Sequence, residues 1–169
     1  MTRANIPIIF GSKIHYAPAD EASAREFLQW KYKSPYEIYN YAPEHFEQDL
    51  AYHLDPGNNI YSMFREGALI GYCSFGQDAR VPGGDYSEEA LDIGLMIKPD
   101  FTGSGQGREF VKDVIQFART QFNPQKLRVT ILATNLRAQR VWEKNAFQKT
   151  QEFTRERDRL PFVILTRDA

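Results

Sequence analysis

Apolar residues along the chain recur with two different periods, and the change of period divides the sequence into strands and helices. Runs in which apolar and polar residues alternate, bounded by Gly, Pro, Asn or Asp, predict strands. These runs cover residues 13–16, 59–65, 69–76, 90–97, 127–133, 147–154 and 160–166. Apolar residues spaced three and four apart predict helices, which cover residues 20–32, 42–55, 108–122 and 135–145. The predicted element order is therefore β-α-α-β-β-β-α-β-α-β-β.

Two connections in this order predict how the sheet is built. Glu66 and Gly67 separate the second and third strands, as is typical of a β-hairpin. The fourth strand, the helix 108–122 and the fifth strand predict a right-handed crossover, which makes those two strands parallel. We expect one mixed α/β domain over residues 1–169, with a sheet of six to seven strands that is antiparallel at first and parallel at its centre.

Composition narrows the kinds of partner. The chain has 21 Lys plus Arg against 22 Asp plus Glu, a net charge of −1, and no basic run, so the charge pattern of a nucleic-acid-binding protein is missing. The single cysteine, Cys73, excludes an intrachain disulfide and a Cys-based metal cluster. We expect no metal, no nucleic acid, and a small-molecule or peptide partner bound by a monomer or homodimer.

Neither a signal peptide nor a membrane span is predicted. The apolar run 6–10 contains Pro7 and is too short for the core of a signal peptide. No apolar stretch approaches the ~20 residues that a membrane-spanning helix needs. Together with the lone cysteine, which suits a reducing compartment, this pattern predicts a cytoplasmic protein.

The loop after the fourth strand has the composition of an anion-binding loop. Gly103, Gly105 and Gly107 alternate directly after a predicted strand and before a predicted helix, where unpaired amides and the helix dipole favour a phosphate. A Rossmann fingerprint would need Gly in place of Arg108, and a Walker A loop would need Lys there, so both spacings fail. A flexible turn with no ligand is the alternative.

A second motif follows in the segment NLRAQRVWEKNAF, where Asn135, Ala138, Trp142 and Phe147 stand at a characteristic spacing. Together with MIKPDFTGSGQG, it resembles the two signature motifs of the GNAT acyl-CoA N-acyltransferase superfamily. The resemblance covers roughly residues 91–150 directly and agrees with the element order elsewhere.

This resemblance implies an acetyl-CoA cofactor held between two parallel strands that splay apart. It implies that strand backbone meets the acyl group and pantetheine arm, that loop amides hold the pyrophosphate, and that an Asn and an aromatic residue of the last helix contact the cofactor. The matching positions here are Leu95, Met96, Ile97, Gly103, Ser104, Gly105, Gln106, Gly107, Arg108, Asn135 and Trp142. Asn135 can also be the helix N-cap, and the two roles can coexist.

The chain departs from the family pattern at several positions. Thr102 replaces the Gln or Arg that often opens the loop, which leaves the amides in place. Ala146 replaces a Gly, so we expect Asn145 to provide the left-handed helix end. Trp142 stands where many members have a Tyr proposed to protonate the leaving thiolate, and an indole N–H is not a usable acid. Either no acid is needed, or Tyr36 or Tyr86 supplies one.

Aminolysis of a thioester needs a neutral amine, so a group must accept a proton. Asp92 and Glu89, on and just before the strand that leads to the acyl site, are the candidate bases, with Asp92 preferred. A solvated charge at the strand end is the alternative for each. Thr130 stands where some members carry Glu on the next strand. The three histidines show no motif of spacing and are expected to be surface or core residues.

Aromatic residues mark the expected acceptor side. Tyr36, Tyr39 and Tyr86 lie in segments that wall the acceptor in this fold, and Glu37 or Glu44 could add charge beside them. The resulting hypothesis is an N-acetyltransferase that moves an acetyl group directly to an amine of a small molecule, peptide or protein N-terminus. A non-catalytic acyl-CoA sensor or interaction module is the alternative, and a nucleotide-phosphate binder is a third.

Overall fold

The computed structural model describes residues 13–169, so the apolar run 6–10 lies outside the described residues. The sheet is built from seven strands: β1 Ile14–Pro18, β2 Ile60–Arg65, β3 Ala68–Phe75, β4 Leu91–Ile97, β5 Lys126–Leu132, β6 Gln148–Thr154 and β7 Pro161–Asp168. The α-helices are α1 Glu21–Phe27, α2 Phe46–Leu54, α3 Gly107–Phe122 and α4 Leu136–Glu143. The predicted order of elements is confirmed.

The strands follow the spatial order β1-β2-β3-β4-β5-β7-β6. Every neighbouring pair is antiparallel except β4 and β5. These two strands pair at only two positions, Leu91 with Leu127 and Asp92 with Arg128, and then separate. The predicted mixed α/β sheet with a parallel, splayed centre is confirmed, although its parallel part consists of these two residue pairs only.

The first helix ends earlier than its apolar pattern predicts. Asp20 caps α1, as expected, and forms a capping box with Ser23. The helix stops at Phe27 instead of continuing to Tyr32: the N–H groups of Gln29 and Trp30 bond three residues back, and that of Tyr32 donates to the side-chain oxygen of Asn40 at 2.7 Å. A tertiary contact therefore replaces the helical hydrogen bond and places the following aromatic segment over the sheet.

Two apolar cores cover the two faces of the sheet. Helices α3 and α4 pack on one face, where Val114 and Trp142 meet Ile93 and Val129. Helices α1 and α2 pack on the other, where Phe27 stacks on Tyr72 with ring centroids 4.1 Å apart. Because β4 and β5 separate between these cores, an opening through the sheet connects the two faces.

Two classes of feature are missing from residues 13–169. No helix there is long and apolar enough to cross a membrane. No group of three or more His, Cys, Asp or Glu side chains in the same range could hold a metal ion.

Candidate functional site

A cleft of about 640 Å³ opens where β4 and β5 diverge. Residues 93–97 of β4 and 129–132 of β5 form its sides, and the start of α3 and the inner face of α4 close one end. Tyrosines of the segment after α1 and a short turn after β3 also line the cleft. The splayed strands thus place a loop suited to anions and an aromatic wall in one cavity.

The Gly-rich loop presents a row of unpaired amides to this cleft. Gly103 and Gly105 have positive φ angles of 70° and 81°, a conformation in which a side chain would be strained. Within residues 13–169 the backbone N–H groups of 103–108 donate to no acceptor, whereas those of Glu109 and Phe110 bond to Gln106 O. The start of α3 therefore offers free donors and the positive end of a helix dipole, which fit a pyrophosphate.

Side chains of the loop support this shape without filling the cleft. Thr102 Oγ1 donates to Pro99 O, and Ser104 Oγ donates to Phe101 O. The side chains of Ser104 and Gln106 do not line the cleft, although both were predicted to contact the cofactor. Their backbone amides remain available, so the prediction for these two positions rests on the backbone alone.

Gly107 allows close packing of α3 on α4. A Cβ atom there would lie 3.0 Å from Val141 Cγ2, so the Val141 side chain would have to shift by a few tenths of an ångström. The glycine therefore lets the loop approach α4, which forms the adjacent wall of the cleft.

Asn135 and Trp142 both line the cleft from α4. Asn135 Oδ1 accepts from Ala138 N at 3.1 Å, so this side chain is the N-cap of α4, and its Nδ2 donates to Tyr39 OH at 2.9 Å. Trp142 is buried and meets Phe147 edge to face, with ring centroids 5.0 Å apart. The structure thus gives Asn135 a capping role while leaving it in the predicted cofactor wall.

The helix end after α4 corrects one expectation. The left-handed residue is Ala146, with φ 67°, and not Asn145. The N–H of Phe147 reaches back to Trp142 O, which requires the turn at Ala146, while Asn145 Nδ2 bonds to Val141 O at 3.0 Å. The missing glycine is replaced by a strained alanine held by these hydrogen bonds.

Asp92 lies in a buried ion pair. Arg128 Nε and Nη2 donate to its two oxygens at 2.6 and 2.8 Å, and Arg80 Nε donates at 2.8 Å. Hydrogen bonding to Asp92 raises the pKa of Arg128. Neither Asp92 nor the exposed Glu89 lines the cleft. These contacts favour a structural role for Asp92 and count against both residues as the base, although each assignment stays a prediction that activity measurements must test.

The predicted acceptor-side tyrosines separate into two groups. Tyr36 and Tyr39 line the cleft, and the Arg137 guanidinium lies 4.0 Å from the centre of the Tyr36 ring. Tyr86 does not line the cleft, because its hydroxyl is 2.9 Å from Thr130 Oγ1 and accepts from Val81 N. The structure therefore brings two of the three tyrosines to the site.

Sequence reasoning missed Asp78. Of the described residues that line the cleft, Asp78 alone carries a carboxylate, and Tyr52 OH donates to it at 2.7 Å. Its short turn follows β3, which pairs with the splayed strand β4. The signal in the sequence is a carboxylate that comes just after β3, the strand that pairs with β4.

Solved structures share this fold. A chimera of the Vibrio cholerae spermidine N-acetyltransferase SpeG and hSSAT is 15% identical, with a TM-score of 0.72 over 92% of this chain and 95% of that one. The aminoglycoside acetyltransferase AAC(6')-Ib with coenzyme A is 17% identical, with a TM-score of 0.73 over 92% and 95%. The putative acetyltransferase yncA from Salmonella typhimurium with acetyl-CoA is 18% identical, with a TM-score of 0.63 over 92% and 93%.

At these identities the structural likeness shows the fold, and no curated protein matches the sequence. The family is shown by the sequence itself: the acetyltransferase (GNAT) domain matches residues 13–148, which include both signature segments up to Phe147. The splayed strands, the unpaired loop amides and this match lead to one assignment. The chain belongs to the GNAT acetyltransferase family, whose acyl donor is acetyl-CoA.

Proposed function

We propose that this protein transfers the acetyl group of acetyl-CoA directly to an amine of a small molecule. The observation that carries this proposal is the cleft through the sheet, which the loop with unpaired amides, the separating strands β4 and β5 and a group of tyrosines line together. A donor and an acceptor can meet in such a cleft from opposite faces. The single cysteine suits a reducing compartment, so we propose the cytoplasm as the location.

The residues present fit acetyl-CoA. The amides of 103–108 would hold the pyrophosphate at the start of α3, with Arg108 lining the same end of the cleft. From Gly94 onward β4 pairs with β3 only, so its other edge faces the cleft and can bond to the pantetheine arm and acyl group along Leu95 to Ile97. Trp142 and Asn135 would form the α4 side.

Acetyl-CoA supplies an acetyl group activated as a thioester. The chain's part is to align a neutral amine with the acyl carbon, accept the proton that the amine loses and exclude water. The C–N bond then forms as the C–S bond breaks. The leaving thiolate can take a proton from an acid, and Trp142 cannot act as that acid as a Tyr would. Tyr36 lines the cleft and stays our candidate acid, whereas the hydroxyl of Tyr86 is engaged elsewhere.

A small-molecule acceptor is favoured over a peptide. Spermidine and aminoglycosides, which appear in the names of structurally similar acetyltransferases, are small amines. In this chain the tyrosine segment and the turn after β3 wall the acceptor end of the cleft, which suits a compact molecule more than an extended chain.

Incubation with acetyl-CoA and a panel of amines, with free thiol followed over time, tests the proposal. We expect thiol release that depends on the acceptor and produces one acetylated amine per thiol. Release without an acceptor would be hydrolysis and would contradict the proposal. Binding of acetyl-CoA without turnover on any amine would favour the alternative, a non-catalytic acyl-CoA sensor.

A further inference from the structure

The charged side chains that line the cleft come from different elements. The cationic side chains that line the cleft, Arg108, Arg137 and Lys144, lie on the α3 and α4 side. The turn after β3 contributes Asp78, and no cation within residues 13–169 forms an ion pair with this carboxylate. Phosphates suit the α3 and α4 side, and a cationic group suits the turn after β3.

The hydroxyl groups beside Asp78 have a defined hydrogen-bond direction. His53 Nδ1 lies 2.7 Å from Asp49 O, and a carbonyl only accepts, so Nδ1 donates; in the tautomer that carries its hydrogen on Nδ1, Nε2 is an acceptor. Tyr41 OH, 3.0 Å away, therefore donates to Nε2. Tyr72 OH, 2.9 Å from Tyr41 OH, must in turn donate to the Tyr41 oxygen.

Two neighbouring tyrosines also donate their hydroxyl hydrogens within the protein. Tyr32 OH donates to Ile97 O at 2.7 Å, and Tyr52 OH donates to Asp78 Oδ1 at 2.7 Å. Burial raises the pKa of Tyr41 to about 12, so this phenol keeps its proton at neutral pH. This group of side chains therefore presents lone pairs on oxygen, aromatic ring faces and a carboxylate to a ligand. The hydroxyl hydrogens of Tyr32, Tyr41, Tyr52 and Tyr72 are all donated within the protein, so none of them is free for a ligand.

We propose that this wall, formed by Tyr41, Tyr72 and Asp78, binds an ammonium group of the acceptor that does not react. An ammonium has only donors and a positive charge, which complement acceptors, a carboxylate and ring faces. The same contacts stabilise its protonated form, and a protonated nitrogen is not a nucleophile. The reacting amine must then be a second nitrogen, nearer to Leu95 and Met96.

The substrate class that follows is a diamine, polyamine or amino compound with at least two basic nitrogens. This inference rests on the proposed function, since it assigns the acceptor end of the same cleft. It differs from the base role predicted for other carboxylates, because Asp78 would hold charge and position the substrate instead of accepting the proton of the reacting amine.

The test compares α,ω-diamines with monoamines of the same carbon number, using acetyl-CoA and the purified full chain. We expect kcat/KM for the diamine to exceed that of its matched monoamine by about tenfold or more. Asp78→Asn should reduce this ratio to near one, mainly through KM of the diamine. Tyr52→Phe, which frees the carboxylate from its hydroxyl partner, should reduce the ratio less.

Glu156→Gln is the matched control, because Glu156 is an exposed carboxylate outside the cleft, and it should leave the ratio unchanged. A wild-type ratio near one, or a high ratio that survives in Asp78→Asn, would overturn the proposal. An equal fall in kcat for diamine and monoamine would make Asp78 the base and would also overturn it. Melting curves establish that each variant is folded.

A binding measurement distinguishes failure of this inference from failure of the proposed function. Should no amine be acetylated, thermal stabilisation by the diamine with coenzyme A present would still report on the wall. Stabilisation that Asp78→Asn abolishes would support the ammonium site while the transferase proposal failed. Absence of both turnover and stabilisation would overturn the site as well.

Discussion

At the scale of single residues, the carboxylate of Asp92 on β4 is held by hydrogen bonds from two arginines, Arg128 and Arg80. Asp92 and Arg128 are 1% and 2% exposed, and they stand opposite each other where β4 and β5 last pair. Burying either charge without its partner would cost free energy, so each side chain is stable in the core only while the other is present. Their position suggests that the ion pair holds the two strands together just before they separate.

The Asp92→Asn variant tests this role. We expect the free energy of unfolding to fall by about 3–5 kcal/mol, because the Arg128 guanidinium stays buried without a carboxylate. Activity per folded molecule should change little. Urea denaturation and the acetylation assay measure the two effects. Glu89→Gln, an exposed carboxylate nearby, should change stability by no more than about 0.5 kcal/mol.

Unchanged stability together with a large loss of kcat in Asp92→Asn would instead restore Asp92 as the candidate base. A loss of kcat confined to Glu89→Gln would make that residue the base.

At the scale of elements, the loop before α3 depends on backbone conformation more than on side chains. Gly105 has φ 81°, and no atom lies within 4 Å of the place that a Cβ atom would take, so an alanine there meets strain but no clash. The same holds for Gly67 in the β2–β3 turn, with φ 77°. These two glycines differ in that Gly105 lines the cleft and Gly67 does not.

Gly105→Ala and Gly67→Ala therefore form a matched pair. Each should lower stability by roughly 1–2 kcal/mol, the cost of placing an L-residue in the left-handed region. Only Gly105→Ala should also weaken acetyl-CoA binding, by about tenfold or more, because relaxing the strain turns amides away from the phosphates. Isothermal titration measures the affinity. Equal affinity in the two variants would contradict an anion-binding role for the loop.

At the scale of the whole molecule, the apolar core under α3 and α4 joins the two halves of the sheet across the opening, because it contains side chains of β3, β4, β5 and β7. The strands β1 to β4 carry α1 and α2, while β5 to β7 continue on the far side of the opening. A ligand that bridges β4, α3 and α4 should therefore stabilise the folded chain as a unit.

Thermal unfolding with acetyl-CoA measures this coupling. At about 100 times the dissociation constant, binding stabilises by about 2.7 kcal/mol. For a domain of this size that corresponds to a rise in Tm of roughly 5–10 °C. ATP at the same concentration should produce a much smaller shift. Stabilisation by ATP and not by coenzyme A would favour the nucleotide-phosphate binder and contradict the acyl-CoA assignment.

Local patterns of the sequence determined the seven strands, the four helices and the two motifs that line one part of the cleft. Apolar periodicity is set by which face of an element is buried, and the glycine and asparagine motifs act through their own backbones. The motif spacing at 103–107 and 135–147 therefore needed no knowledge of distant contacts to identify the family.

Tertiary structure alone decided where α1 ends, which carboxylate faces the cleft and which way the tyrosine hydroxyls point. Asp92 and Arg128 are 36 residues apart, and Tyr41, His53 and Tyr72 come from three separate segments. Whether a carboxylate is an ion-pair partner or a ligand for substrate depends on what packs against it, and no local spacing contains that information. Asp78 became a candidate only when folding placed it, without a cationic partner in the described chain, at the acceptor end of the cleft.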